Sequence, residues 1–354
     1  MVNVHKAEVV LVACAMVLLS ACGQKSPSAN DEPSAQNANS DQNANIPRAS
    51  IERLDPALDA VIAPGTEVQK VADGFEFTEG PMWREGRLWF SDLVGNTVYA
   101  VTPDGQREAL IKEAGGYPNM PAGSYLGPNA MIPDEDGSVL LAQHGGRKIV
   151  RVGSDFTLVP VISEYQGQRL NSPNDMVYAP DGSLWFTDPP FGLLKGGDDP
   201  EKDLKFNGVF RFADNQLTAE VTDLTLPNGI AISADGRTLY INNFGPEMKL
   251  MAYQIGADGH VSEGGRALIT YTGDEGPGGP DGLKIDEAGN LWATGPGGVR
   301  IITPEGKVLG LIKTPKPAAN LAFGEDGKTV YITSSDAIYK LRSNIAGVMP
   351  RFSR

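Results

Sequence analysis

Residues 173–188 read PNDMVYAPDGSLWFTD: a polar residue, an apolar stretch, an Asp-Gly turn and a second β-rich run. The unit recurs as EGPMWREGRLWFSD (79–92), PNAMIPDEDGSVLLAQ (128–143), PNGIAISADGRTLYINN (227–243), PDGLKIDEAGNLWATG (280–295) and ANLAFGEDGKTVYITSS (319–335). The leading polar residues are Glu79, Asn129, Asn174, Asn228, Asp281 and Asn320, spaced by 50, 45, 54, 53 and 39 residues. Periods of about 40–50 residues with four short strands each mark a β-propeller.

The rest of each unit supplies the outer strands. NTVYAVTPDGQREAL (96–110), GVFRFADNQLTAEV (208–221) and GVRIITPEGKVLGLI (298–312) are β-rich pairs around a turn, a hairpin pattern. The sixth unit ends with AIYKL (337–341) and lacks a fourth strand, whereas EVQKVADG (67–74) has that strand's character. The expectation is an all-β, six-bladed propeller from about residue 67 to 342, with four antiparallel strands per blade. An N-terminal strand in the last blade would close the ring and remove two exposed edges. A solenoid is the alternative, but six repeats without distinct caps fit a closed ring better.

Composition narrows the function. The 354 residues carry a net charge of −14, which lacks the basic footprint of a nucleic-acid binder. Only His5, His144 and His260 are present, and the two cysteines, Cys14 and Cys22, both precede the repeats. Disulfides, zinc–thiolate centres and thiol catalysis are thereby excluded from the repeat region. Residues 1–22, MVNVHKAEVVLVACAMVLLSAC, have the layout of a secretory signal with an apolar run from Val9 to Leu19, although Glu8 is unusual there. The ending Leu19-Ser20-Ala21-Cys22 resembles the bacterial lipoprotein box, which implies lipidation of Cys22. Residues 23–50 are mostly Ser, Asn, Gln, Asp, Ala and Pro, a composition expected to form a disordered tether. Residues 51–354 then form the folded domain, held in the cell envelope by the lipid alone. Gly23 after Cys22 resembles the pattern that sends such lipoproteins to the outer membrane, facing the periplasm.

In a propeller the six leading polar residues converge near the axis. Asn and Asp before Gly are also favoured turn residues, and for a single copy that explanation suffices. Glu79 has no special turn chemistry, however. The set Glu79, Asn174, Asn228 and Asp281 offers two carboxylates and two amide carbonyls. Oxygen donors suit a hard cation, and Ca²⁺ takes about 6–8 of them, leaving places for water and substrate. His144 and Asn129 are candidates for contacting substrate, whereas His260 in ADGH sits in a hairpin turn. No G-x-S-x-G elbow is present, and the glycine-rich runs lack the GK[ST] ending of a phosphate loop. The insertion KEAGGYPNMPAGSYLG (112–127), with Tyr117 and Tyr125, is a candidate lid or substrate wall.

The strings LNSPNDMVYAPDGSLWFTDPPFG (170–192), LPNGIAISADGRTLY (226–240), GPDGLKIDEAGNLWATGPGGV (279–299) and ANLAFGEDGKTVYIT (319–333) resemble the senescence marker protein/gluconolactonase/regucalcin-like family, in particular its bacterial gluconolactonase branch. The resemblance runs from about Phe75 to Leu341. It implies a divalent metal at the axis, usually Ca²⁺ with Zn²⁺, Mg²⁺ or Mn²⁺ as alternatives. Its ligands would be Glu79 of FTEGPMW, Asn174 of SPND, Asn228 of LPNG and Asp281 of GPDG, with Asp281 also the acid/base. Asn320 belongs to the ring but not to that ligand set. The expected activity is hydrolysis of a small-molecule sugar-acid lactone. Other lactones, esters and phosphotriesters are alternatives within the same scaffold, and a non-catalytic, calcium-stabilised binding propeller is the alternative outside enzymology.

The lipoprotein reading has a direct consequence. Expressed with its leader, the protein should fractionate with membranes and carry lipid mass, and Cys22→Ser should release or mislocalise it. A wild-type chain that is fully soluble and lipid-free contradicts the assignment.

Overall fold

The computed structural model describes residues 48–262 and 264–353; the signal-like segment, Cys22 and nearly all of the expected tether lie outside them. Six four-stranded antiparallel units follow in chain order. Blade 1 consists of Thr78–Arg84, Arg87–Asp92, Thr97–Val101 and Arg107–Lys112, each strand paired with the next. Blades 2 to 5 repeat the pattern over residues 128–162, 176–221, 227–270 and 283–313. Blade 6 takes three strands from residues 318–342 and its outermost strand, Gln69–Asp73, from the N-terminal side. That strand runs antiparallel to Ala337–Arg342, with Gln69 opposite Lys340 and Asp73 opposite Ala337. The fold is a six-bladed β-propeller closed by its N-terminal strand.

The repeat's alternation of apolar and polar residues explains the packing. One face of each sheet meets the facing sheet of the next blade, and six clusters of buried side chains result, one per junction. Between blades 2 and 3, for example, Ile132, Leu140 and Ile149 meet Met176, Phe186 and Phe210. Trp185 and Trp292 are fully buried, and each indole N–H is satisfied inside its own blade, by Ser183 Oγ at 2.8 Å and by Asp286 Oδ2 at 3.1 Å.

Two segments depart from the sequence-based outline. The repeats were expected from about residue 67 within a folded domain starting at residue 51, and Ser50–Arg53 adds a fifth strand to blade 5, opposite residues 310–313. Ser50 is therefore the start of a strand and not the end of the tether. A single helical turn, Leu58–Val61, follows and buries Leu58, Val61 and Ile62 at the junction of blades 5 and 6. This segment carries no repeat signature; it is held by its apolar side chains and by a groove over Gly310, where a Cβ would come within 2.5 Å of the Leu58 side chain. At the other end, Ser343–Arg351 crosses the far mouth of the central channel. Asn344 N–H donates to Val61 O, Val348 N–H to Ile285 O, and the Arg351 guanidinium to Pro180 O.

Leu58→Ala should cost about 2–5 kcal/mol, the usual range for emptying a fully buried leucine site. Denaturant melts of wild type and variant measure this. A loss below about 0.5 kcal/mol, typical of surface positions, contradicts the packing role.

Candidate active site

The innermost strands of the blades start at the end of the axis where the ring residues lie. Glu79, Asn129, Asn228 and Asn320 sit on these strands, and in each the pairing with the second strand slips at or beside that residue. Such bulges turn a side chain out of the regular alternation, here towards the axis. Asn174 and Asp281 stand just before the inner strands Met176–Tyr178 and Leu283–Ile285.

The glycines after Asn228 and Asp281 allow the crowding. Gly229 N–H donates to Asp281 O at 2.9 Å, and a Cβ on Gly229 would lie 2.1 Å from that oxygen. A Cβ on Gly282 would lie 2.1 Å from Asn320 Oδ1. These are close-approach glycines between neighbouring blades, so Asn-Gly and Asp-Gly here do not form turns. Groups on the second strands anchor the next blade's ring segment. Ser91 Oγ donates to Asn129 O at 2.6 Å, Thr187 Oγ1 to Asn228 O at 2.7 Å, and Asn242 Nδ2 to Asp281 O at 2.9 Å. They occupy the same place near the end of each repeat, WFSD, WFTD and YINN, so aligning the repeats on that position would have found them.

The ring falls into two hydrogen-bonded halves. In the first, Asn320 Nδ2 donates to Glu79 Oε2 at 3.0 Å, and Gly80 N–H donates to the same oxygen. Glu79 also lies against Asp281, whose carboxyl in turn lies beside Asn228. Burial raises the Glu79 pKa to about 7, with Asp175 pushing the same way and the Gly80, Asn320 and Lys284 donors and charge opposing. Asp281 is pushed well above the ordinary carboxylate range, first by burial and then by Glu79. Without a counter-charge, two carboxylates this close hold a proton between them.

In the second half, His144 Nδ1 lies 3.0 Å from Tyr125 O, a carbonyl that can only accept, so Nδ1 carries the hydrogen. Nε2 is then an acceptor, at 2.9 Å from Asn129 Nδ2 and 3.4 Å from Asn174 Nδ2. Burial lowers the His144 pKa to about 4, which keeps the imidazole neutral at physiological pH. His144 thus holds the amino groups of two ring asparagines and leaves their amide oxygens for other partners.

Below the ring, Lys284 Nζ lies 3.2 Å from Asp175 Oδ2 and 3.3 Å from Asn320 Oδ1. This ion pair joins residues 109 positions apart, and no local sequence pattern announces it. Among the described residues no three His, Cys, Asp or Glu side chains converge as a metal site, so a cation at the axis has to be held partly by amide oxygens. The donor set fits one. Asn228 Oδ1 is buried without a hydrogen-bond partner, beside two carboxylates that repel each other. A divalent ion would satisfy the orphan oxygen and relieve the repulsion together.

This arrangement, oxygen donors around the axis of a six-bladed propeller, defines the class of protein. Residues 77–336 match the SMP-30/Gluconolactonase/LRE-like region, and the chain belongs to that family. A gluconolactonase of Zymomonas mobilis is 34% identical over 311 residues, 84% of this chain and 87% of that protein. The solved structure of a gluconolactonase from Xanthomonas campestris shares 30% identity with a TM-score of 0.72, covering 83% of this chain and 94% of that one. The diisopropyl-fluorophosphatase of Loligo vulgaris is 26% identical over 67% of this chain and 76% of its own length.

The raised Glu79 pKa has a sign that can be measured. Between the ordinary value of 4.5 and about 7 the folded protein holds a proton that the unfolded chain has released. Its contribution to stability is therefore present at low pH and lost as pH rises through about 7. In metal-free buffer, Tm of wild type minus Tm of Glu79→Gln should fall across this window, whereas a flat difference contradicts the shift. Buried Asp188 and His144 also titrate but are common to both proteins and cancel, whereas Asp281, raised in part by Glu79, shifts down in the variant and adds to the same fall.

Proposed function

We propose that this propeller is a metal-dependent lactonase that opens a sugar-acid lactone. The coarser part of that reading, a lactonase of the carboxylic-ester hydrolase class, rests on the family and on the gluconolactonases just compared. The finer part rests on one observation: Glu79 and Asp281 are pressed together beside the unpartnered Asn228 Oδ1. Such a cluster is costly without a cation and suited to one.

Glu79, Asn174, Asn228 and Asp281 would hold the ion, with Ca²⁺ the best match to an all-oxygen set. Held there, the ion would supply Lewis-acid chemistry, drawing electron density from the lactone carbonyl. Asp281 is partly exposed at the ring. Once ionised, its carboxylate takes the proton from the attacking water and returns it to the alkoxide that leaves when the ring opens. Glu79 supplies the second negative charge, and Asn320 fixes its carboxylate through the 3.0 Å hydrogen bond. His144 acts through Asn129 and Asn174, by way of the amide groups it orients. Cys22 would tether the enzyme at the outer membrane and place this chemistry in the periplasm.

Asp281→Asn keeps the shape and an oxygen donor but removes the base. Turnover of glucono-δ-lactone under saturating Ca²⁺ should fall by about 10²–10⁴ with the fold intact. Chelation of the wild type should abolish turnover, and Ca²⁺ should restore it. If Asp281→Asn keeps near-wild-type turnover while Asn320→Ala loses it, the roles around the ring are assigned wrongly. A protein that never hydrolyses a lactone and only gains stability with Ca²⁺ is a binding module instead.

A further inference from the structure

From blade 1 round to blade 5 the ring is bordered by aromatic side chains, with His144 and Gly192 between the two aromatic pairs. Phe77 precedes Glu79 by two residues, and its ring meets Tyr125 edge-on at 5.4 Å. Tyr125 O accepts the His144 Nδ1 hydrogen, and Tyr117 packs over Gly145, the residue after His144, where a Cβ would come within 2.5 Å of it. On the other side of His144 lies Gly192, whose Cβ would come within 2.5 Å of the histidine's own. Gly192 follows Phe191, whose ring meets Phe244 edge-on at 6.1 Å. The Phe244 ring covers Gly279, where a Cβ would lie 2.4 Å from it, two residues before Asp281. The arc therefore runs from one ring carboxylate to the other.

Its members come from loops that all open at the same end of the propeller. These are the segment leading into blade 1, the 113–127 connection, the turn after the second strand of blade 3, the matching turn of blade 4, and the connection into blade 5. The 113–127 connection is fixed as a wall. Gly146 N–H donates to Gly115 O at 2.7 Å, Gly145 N–H to Leu126 O at 3.0 Å, and Gly115 N–H to Asn96 Oδ1 at 2.8 Å. Among the described residues seven large apolar side chains are exposed, and three of them, Tyr125, Leu194 and Phe244, belong to these loops at 47%, 57% and 39% exposure. Apolar groups exposed beside a polar site offer a seat for an apolar part of a ligand.

We propose that the arc selects lactones whose ring carries an aryl or alkyl substituent, seating the substituent against Phe191, Phe244 and Tyr125 while the lactone carbonyl faces the axis. The inference rests on the coarser lactonase reading alone, and gives the reacting ring an apolar substituent in place of a sugar acid's hydroxyl groups. An edge-to-face contact with Phe191 or Phe244 and the burial of a phenyl group would together favour such a substrate by about tenfold or more.

The test compares 6-phenylpiperidin-2-one with piperidin-2-one, lactams that mimic the ring and resist hydrolysis, by calorimetric titration of the Ca²⁺-supplemented protein. The corresponding lactones, 5-phenyl-δ-valerolactone and δ-valerolactone, are compared by kcat/KM. The phenyl compound should win by about tenfold in each pair. Phe244→Ala and Phe191→Ala should each cut that ratio by about threefold or more, and Phe156→Ala, exposed on an outer turn of blade 2, should leave it unchanged. A ratio near one in the wild type, or an equal drop with Phe156→Ala, overturns the proposal. Failure of every lactone to turn over, with the lactam preference intact and lost in Phe244→Ala, would instead overturn the hydrolase reading and leave the apolar arc standing.

Discussion

Two carboxylates from different blades, Glu79 and Asp281, meet at the axis, and the architecture around them makes that approach possible and sustains it. Bulges in the inner strands turn the ring side chains inwards. Gly229 and Gly282 let neighbouring blades come within hydrogen-bonding distance where any other residue would collide. Ser91, Thr187 and Asn242 clamp the ring backbone of the following blade. Such a cluster is unfavourable in isolation and useful only when a cation or a proton occupies it. The clamps and close-approach glycines hold it together between turnovers.

The remaining polar groups complete this picture. Asn320 donates to Glu79 with its amino group and accepts from Leu321 N–H and Lys284 Nζ with its oxygen, so its amide cannot flip without losing both sets of bonds. Lys284 balances Asp175, the nearest further negative charge beneath the ring. Neutral His144 serves the opposite half by accepting from Asn129 and Asn174. Glu79, Asn129, Asn174 and Asn320 are thus each held by a side-chain hydrogen bond at the ring.

Much of this was legible because a propeller writes its geometry as a repeat. The six leading residues, the Asp-Gly turns and the missing strand of blade 6 are periodic, and the N-terminal closure followed from them. The role of Ser50–Ile62 was not legible, although residues from 51 on were read as folded: its contribution is three buried aliphatic side chains and one short edge strand, with no counterpart in the repeats. The Asp175–Lys284 pair was hidden because it joins blades 3 and 5 across the axis, and only the closed ring brings these residues together. His144 stood out in the sequence as a scarce residue, but its role could be read only from Tyr125 O, which fixes its tautomer.

The central claim is that a divalent cation displaces a proton held between Glu79 and Asp281. Calorimetric titration of metal-free protein with Ca²⁺ near pH 6.5, in buffers of different ionisation enthalpy, counts the protons released directly. The expected result is one Ca²⁺ bound with release of protons near pH 6.5, and the binding weakened in Glu79→Gln. Binding without proton release near pH 6.5, or binding unchanged in Glu79→Gln, would place the cation elsewhere and contradict the claim.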